Sequence, residues 1–471
     1  MFFKSTSKWS DKITSYLQID KHEKTKLICL SIAFLFIIGS YSILRSLKTS
    51  VFLGFVGKEY QPIAKIMSII LMFPAMLLYS KIIDSLRRYQ VVYFFLALYA
   101  IIGFTFAFIF KHPVYGVQNT TPSIYRITGW AFEFFMDFYQ AFVVSSFWSF
   151  INSISTPDFA NKSYGIIYAV SRIGGILTTS IGLLILSSSR VKEEASIPLL
   201  TIMASIFLLG AAVAIWRIIK TIPHDQLYGY SDAHTFKKPA KKKPNVLEGL
   251  KLILTEPYVF GIFGLVACYE ITNIIFDYQM QVLMSIETNN NIHAMSKFML
   301  FYTQSFQILS FIFALFGTTT LLKKIGASKC LLIMPVVTLG LALWLLHNPS
   351  LTTVFIVMVA LRGLQYGFNS PVREVLYIPT VKDIQFKSKA WIDSFGRTFS
   401  KSSGSIINLL SIIQKASALL SFQAVFVFAI SSVWLLVSLF VGKTYQKTID
   451  TDGLIGNNQP HEDAPTNNIS T

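Results

Sequence analysis

Charge is scarce in this chain: 14% of its 471 residues are Asp, Glu, Lys or Arg, while 53% are hydrophobic. Soluble domains carry about 25% charged residues, so a soluble fold is excluded at the outset. Cysteine is scarcer still. Cys29, Cys268 and Cys330 each lie in an apolar segment, far apart. They read as small buried hydrophobes, with neither a disulfide framework nor metal-site spacing. Every histidine (His22, His112, His224, His234, His293, His347, His461) falls outside or at the edge of an apolar segment, which excludes a histidine proton relay inside a membrane. No Ser-His-Asp set and no zinc pattern occur. The opening residues MFFKSTSKWSDKITSYLQIDKHEKTK lack the apolar centre of a signal peptide. Residues 8–18 are expected to form a short amphipathic helix on the membrane surface.

What is abundant is the apolar run long enough to span a bilayer. The pattern predicts an all-α integral membrane protein of about twelve helices, near 26–46, 62–83, 89–110, 128–153, 164–187, 197–218, 258–286, 297–320, 328–346, 351–375, 389–412 and 418–441. They group into an N-terminal six-helix half (26–218) and a C-terminal one (251–441), after a cytoplasmic segment (1–25). A basic linker (219–250) joins the halves, with five lysines from Lys237 to Lys243, and a polar tail expected to be disordered follows at 442–471. KIIDSLRRY at 81–89 and LLKKIGASK at 321–329 occupy equivalent loops, which points to two parallel repeats as in the major facilitator superfamily. With the N-terminus inside, cytoplasmic segments collect about 27 Lys and Arg against about 9 outside, the asymmetry of the positive-inside rule. Both termini are therefore expected to be cytoplasmic. The net charge of +17 is explained by such loops and by basic groups facing a cavity, and implies no nucleic-acid partner.

The few charges inside the spans carry the functional signal, because ionisable groups in a membrane are functional by default. The stretch 371–405, PVREVLYIPTVKDIQFKSKAWIDSFGRTFSKSSGS, holds Arg373, Glu374, Asp393, Arg397 and Lys401. As one helix over 388–412 it would set Asp393, Arg397 and Lys401 on a single stripe at i, i+4 and i+8. Gly396, Ser400 and Gly404 make a packing stripe beside it. Arg373 and Tyr377 stand one turn apart. In the seventh span Glu270, Asn273, Asp277 and Gln281 recur as a continuous polar face. In the fourth, Glu133 and Asp137 are one turn apart and would repel unless a cation lies between them; Arg172 is a candidate partner. Arg45 and Lys48 share a face at the expected end of the first span. With Lys65 and Arg362 added, the spans are more basic than acidic, which suits a polyanion. GRTFSKS at 396–402 has neither the second glycine nor the lysine placement of a phosphate loop.

REVLYIPT followed by KSKAWIDSFGRTFSKSSGS resembles the signature of the nucleotide transporter family, the ATP/ADP translocases of obligate intracellular bacteria and plastids. IDKHEKTK before the first span and YSILRSLKTS at 41–50 resemble two further motifs of that family, in the same order. The resemblance places Lys48 and Arg373 on family lysines and Asp137 on an acidic position. It also places Asp277 on a glutamate and Gln281 on a lysine, while Ser46 and Thr49 stand where the family motif has aspartates. It implies exchange of external ATP for internal ADP across the inner membrane of an intracellular bacterium. Lys48, Asp137, Asp277, Arg373, Arg397 and Lys401 are then the principal substrate residues, with Arg45, Glu133, Glu270, Asn273, Tyr377 and Asp393 behind them. The implied partners are ATP, ADP and the lipid bilayer, with no cofactor, no metal and no obligate protein partner. Two rivals remain: the same fold carrying another nucleotide or organic anion, with proton coupling, and a membrane-embedded enzyme using Asp393 or Glu133 as a base. No threefold repeat of the mitochondrial carrier type is present.

Overall fold

In the computed structural model, residues 21–155, 157–222, 246–314, 318–381, 384–411, 416–451 and 453–456 are described. The expected surface helix at 8–18 and the lysine run of the linker lie outside them. The described chain is almost entirely helical. Nine of its helices are long and apolar enough to cross a membrane, and a pair bent by 67°, Lys324–Cys330 with Ile333–His347, makes a tenth. The two remaining expected spans correspond to Ile292–Ile312 and Arg397–Ser411. The first of these is interrupted by polar side chains such as Lys297, Gln304 and Gln307, and the second is a helix of 15 residues rich in serine.

The outer surface confirms the solvent these helices are built for. On the second span (Gln61–Ser85), Ile70, Phe73 and Leu77 share one face and are 66%, 70% and 66% exposed. Leaving such side chains in water would forfeit about 1.5–3 kcal/mol each, so this face belongs against lipid. Inside, aromatic rings fill the N-terminal half: Phe34 stacks on Phe147 at 5.0 Å, and Tyr99 on Phe135 at 4.6 Å.

Several expected limits move. The first helix runs Lys21–Phe55, because the apolar run continues through Val51–Phe55. Arg45 and Lys48 therefore lie about 15 and 10 Å inside its end, and not at its last turn. The last helix extends over Ala416–Asp450, so residues 442–450 are ordered. Beyond it, Ile455 bridges to Thr380, with backbone bonds Val381 N to Ile455 O (3.1 Å) and Ile455 N to Pro379 O (2.9 Å). Residues 246–250 of the expected linker begin the helix Val246–Thr255. The short turn before the ninth span is made by Gly326, whose φ of 78° is costly for any residue with a Cβ.

The two halves touch along the first and eighth spans. Ser42, Ser46, Ser50 and Gly54 recur every fourth residue, so they form one ridge of small side chains. Across it, Ser46 Oγ lies 2.9 Å from Thr303 Oγ1 and donates to the Met299 carbonyl at 3.3 Å, while Ser50 Oγ lies 2.6 Å from Ser296 Oγ. A Cβ on Gly54 would sit 2.3 Å from Ile292. The ridge closes the halves together toward the end of the molecule that carries Phe55.

Candidate functional site

The N-terminal half contributes a four-charge cluster. Glu133 and Asp137 stand on the fourth span, which starts at Ile127, about 9 and 15 Å deep. Between them come two ammonium groups: Lys48 Nζ is 2.7 Å from Asp137 and 3.1 Å from Glu133, and Lys65 Nζ is 2.5 Å from Glu133 and 3.4 Å from Asp137. Ser68 donates to the second oxygen of Asp137. Two acids and two bases cancel, which is how two carboxylates share a helix face in a low dielectric. The cations are thus Lys48 and Lys65; Arg172 is not their partner. It lies instead over the ring of Tyr366, 5.4 Å from the centroid.

The C-terminal half arranges its charges in layers. Asp277 receives Arg362 at 2.9 Å and Gln281 at 2.9 Å, and Arg362 Nε also donates to Asn273 at 3.2 Å. Deeper toward the other end, Glu270 lies 3.9 Å from both Arg397 and Lys401. Asp393 then joins Arg397 at 3.0 Å and Arg373 at 3.6 Å. The polar face of the seventh span is therefore buried as a stripe, but it divides: Asp277 serves the tenth span and Glu270 the eleventh. Asp277 is not in contact with Arg373, Arg397 or Lys401.

Local backbone sets these positions. The fourth, tenth and eleventh spans each contain π turns, at Gln140–Val144, Gln365–Asn369, Ile384–Ser388 and Ile392–Gly396. A π turn inserts one residue and swings the following side chains by roughly a quarter turn, and such bulges cluster at functional sites. The single helix expected over 388–412 is broken in this way, although Asp393 and Arg397 still meet at i, i+4. The α-helix that carries Arg373 ends at Val375 and passes into a turn with Tyr377 N bonded to the Glu374 carbonyl at 3.2 Å. The buried hydroxyl of Tyr377 has no hydrogen-bond partner. Lys389 lies 5.3 Å from its ring centroid.

Arg373, Arg397, Lys401, Glu270 and Asp393 are thus brought together, as are Lys48, Glu133 and Asp137. Arg45 rests over Tyr41 at 5.8 Å. Lys65 and Arg362 supply partners that charge balance alone does not identify, because their contacts are made with helices distant in sequence. Neither Asp393 nor Glu133 is a free base; each faces two cations. A cavity of about 510 Å³ at the Phe55 end is lined by residues such as Gln118, Lys192, Glu193, Asn291 and His293, and none of the expected site residues lines it.

Each half thus holds its own set of charges among its spans, a chemistry that suits an anion. Solved structures share the fold. A D-xylose–proton symporter superposes with a TM-score of 0.58 at 12% identity, covering 88% of this chain and 96% of that one. A POT family transporter gives 0.57 at 13% identity, covering 91% and 99%. The fold is that of the major facilitator transporters. In sequence, ADP,ATP carrier protein 1 of Chlamydia trachomatis is 25% identical, with 92% of this chain and 91% of the relative covered. ADP,ATP carrier protein 3 of Rickettsia bellii is 23% identical, with 90% and 94% covered. The model of the TLC ATP/ADP transporter family matches residues 3–445, so the chain belongs to that family.

Proposed function

We propose that this protein exchanges ATP for ADP across a membrane by alternating access. The observation that carries the reading is that each half sets basic side chains among its spans, with Arg172 of one half lying over Tyr366 of the other, in a chain whose family is that of the ATP/ADP transporters. Lys48, Arg373, Arg397 and Lys401 hold the phosphates. Asp137, Glu270, Asp277 and Asp393 neutralise basic groups of the empty site and release some of them when phosphate arrives. The halves, near 26–218 and 251–441, rock around this fixed region. The inner membrane of an intracellular bacterium, with both termini cytoplasmic, accords with the loop charges and with the organisms of the relatives. The Phe55 end then faces outward.

One feature favours a second reading, the same fold importing another nucleotide or organic anion. Gln281 stands where the family motif has lysine, and it is spent on Asp277. Uptake of labelled ATP, ADP and other nucleotides into proteoliposomes, with and without internal ADP, separates the two. Uptake that requires internal ADP supports exchange; equal uptake into empty vesicles with an inward proton gradient overturns it.

A further inference from the structure

Among the basic side chains that lie between the halves, two have not been given a carboxylate. Arg45 on the first span has Tyr41 beneath it, and Arg172 on the fifth (Pro157–Ser187) has Tyr366. No carboxylate among the described residues forms an ion pair with either. Both surround one place. Tyr366 sits on the π turn of the tenth span, with Arg172 over its ring; Arg45 lies within charge range of Tyr366 and of Asp277, whose oxygens are taken up by Arg362 and Gln281. Arg45 is also within range of Tyr302, whose hydroxyl is fully buried and lacks a hydrogen-bond partner. The third guanidinium nearby, Arg362, is already neutralised by Asp277 and rests over Tyr302 at 5.4 Å.

An arginine within a membrane span and without a paired acid is costly unless an anion completes it. A cation–π contact is a weaker partner than a charge-assisted bidentate pair, so an incoming phosphate can draw the guanidinium off its ring. Each guanidinium fork matches two phosphate oxygens, and each further phosphate adds roughly one negative charge or more. We propose that Arg45 and Arg172 are specificity-determining residues that bind the outer phosphates of the substrate and select nucleoside di- and triphosphates over monophosphates. The proposal rests on the nucleotide-exchange reading for its substrate, but its chemistry is that of polyphosphate recognition. Because Arg172 and Tyr366 belong to opposite halves, phosphate capture also dissolves a contact across their boundary.

The test compares chain lengths of phosphate. In ADP-loaded proteoliposomes, the full-length protein and its Arg45→Gln and Arg172→Gln variants are assayed for ATP and ADP uptake and for inhibition by AMP. Each variant should raise the half-maximal ATP and ADP concentrations by roughly 10-fold or more while AMP inhibition moves by less than about 3-fold. Arg45→Lys and Arg172→Lys, which keep the charge and lose the fork, should fall between. They carry the same comparison if a Gln variant does not elute as a monodisperse protein. Equal shifts for all three nucleotides, or no shift, would overturn the assignment. A second measurement does not depend on transport: calorimetric binding of inorganic tripolyphosphate and orthophosphate to the solubilised protein. Wild type should prefer tripolyphosphate, and the variants should lose that preference. A wild-type protein without the preference sinks the proposal. If wild type shows it but exchanges no nucleotide, the functional reading falls while the assignment of the two arginines stands.

Discussion

At the scale of the residue, the site is a set of buried pairs rather than a row of free charges, and this determines what a substitution does. Removing one partner of a buried pair strands the other, at about 3–5 kcal/mol. Lys48→Met leaves Glu133 and Asp137 with Lys65 alone and should lower the thermal unfolding midpoint of the solubilised protein. The double variant Lys48→Met/Asp137→Asn restores neutrality and should recover most of that midpoint while transport stays lost. A double variant no more stable than Lys48→Met would show that the four charges are not balanced against one another. Asp277 gives a second case. Its oxygens take Arg362 and Gln281, and Arg362 is only 5% exposed. Asp277→Asn keeps the size and frees that guanidinium, so anions should bind at least as tightly and leave more slowly. Apparent affinity should hold or improve while maximal exchange falls severalfold. Normal rate with normal affinity would place Asp277 outside the transport path.

At the scale of the element, the crossing of the first and eighth spans explains a departure from the family motif. Ser46 occupies a position with no exposed surface, bonded to Thr303 and the Met299 carbonyl. An aspartate there would press a carboxylate against a carbonyl oxygen with no cation beside it, a penalty of several kcal/mol. Ser46→Asp should therefore cut the yield of folded protein sharply, whereas Ser46→Ala, losing about 1 kcal/mol of hydrogen bonding, should be close to neutral. Comparable yields by size-exclusion chromatography would show that the crossing opens enough to hydrate the position. The same elements show what a sequence can and cannot disclose. The stripe Glu270, Asn273, Asp277, Gln281 is legible because helical periodicity alone puts those residues on one face, and all four are buried. The π turns are not legible, since inserting one residue into a helix leaves composition unchanged. Pairings such as Lys65 with Glu133 are not legible either, because they depend on how two distant spans come to lie side by side. The first helix runs past Arg45 and Lys48 because the apolar run resumes at Val51–Phe55, whereas two basic residues on one face suggest a helix end when read alone.

At the scale of the whole molecule, alternating access requires the halves to part at the end where they now touch. Topology comes first: tags at residue 240 and at the C-terminus should report from the cytoplasm and one near Asn290 from outside, and an external tag at 240 would overturn the orientation. The motion itself can be tested by a lock. Ser50 and Ser296 belong to different halves, and their hydroxyl oxygens are 2.6 Å apart, close enough for a disulfide, whose Cβ atoms sit about 3.8 Å apart. The native thiols Cys29, Cys268 and Cys330 are buried, so they compete little for oxidant. In the Ser50→Cys/Ser296→Cys protein, oxidation should tie the Phe55 end shut. Exchange should fall at least roughly tenfold and return on reduction, because one covalent bond opposes every cycle and a disulfide resists far more force than packed serines. Each single-cysteine variant should be indifferent to oxidant. Nucleotide present inside the vesicles should still bind the locked protein, since its route from the opposite end is untouched. Full exchange by a protein shown to be cross-linked would mean that the halves do not separate along this ridge, and that substrate crosses by some path other than the boundary between them.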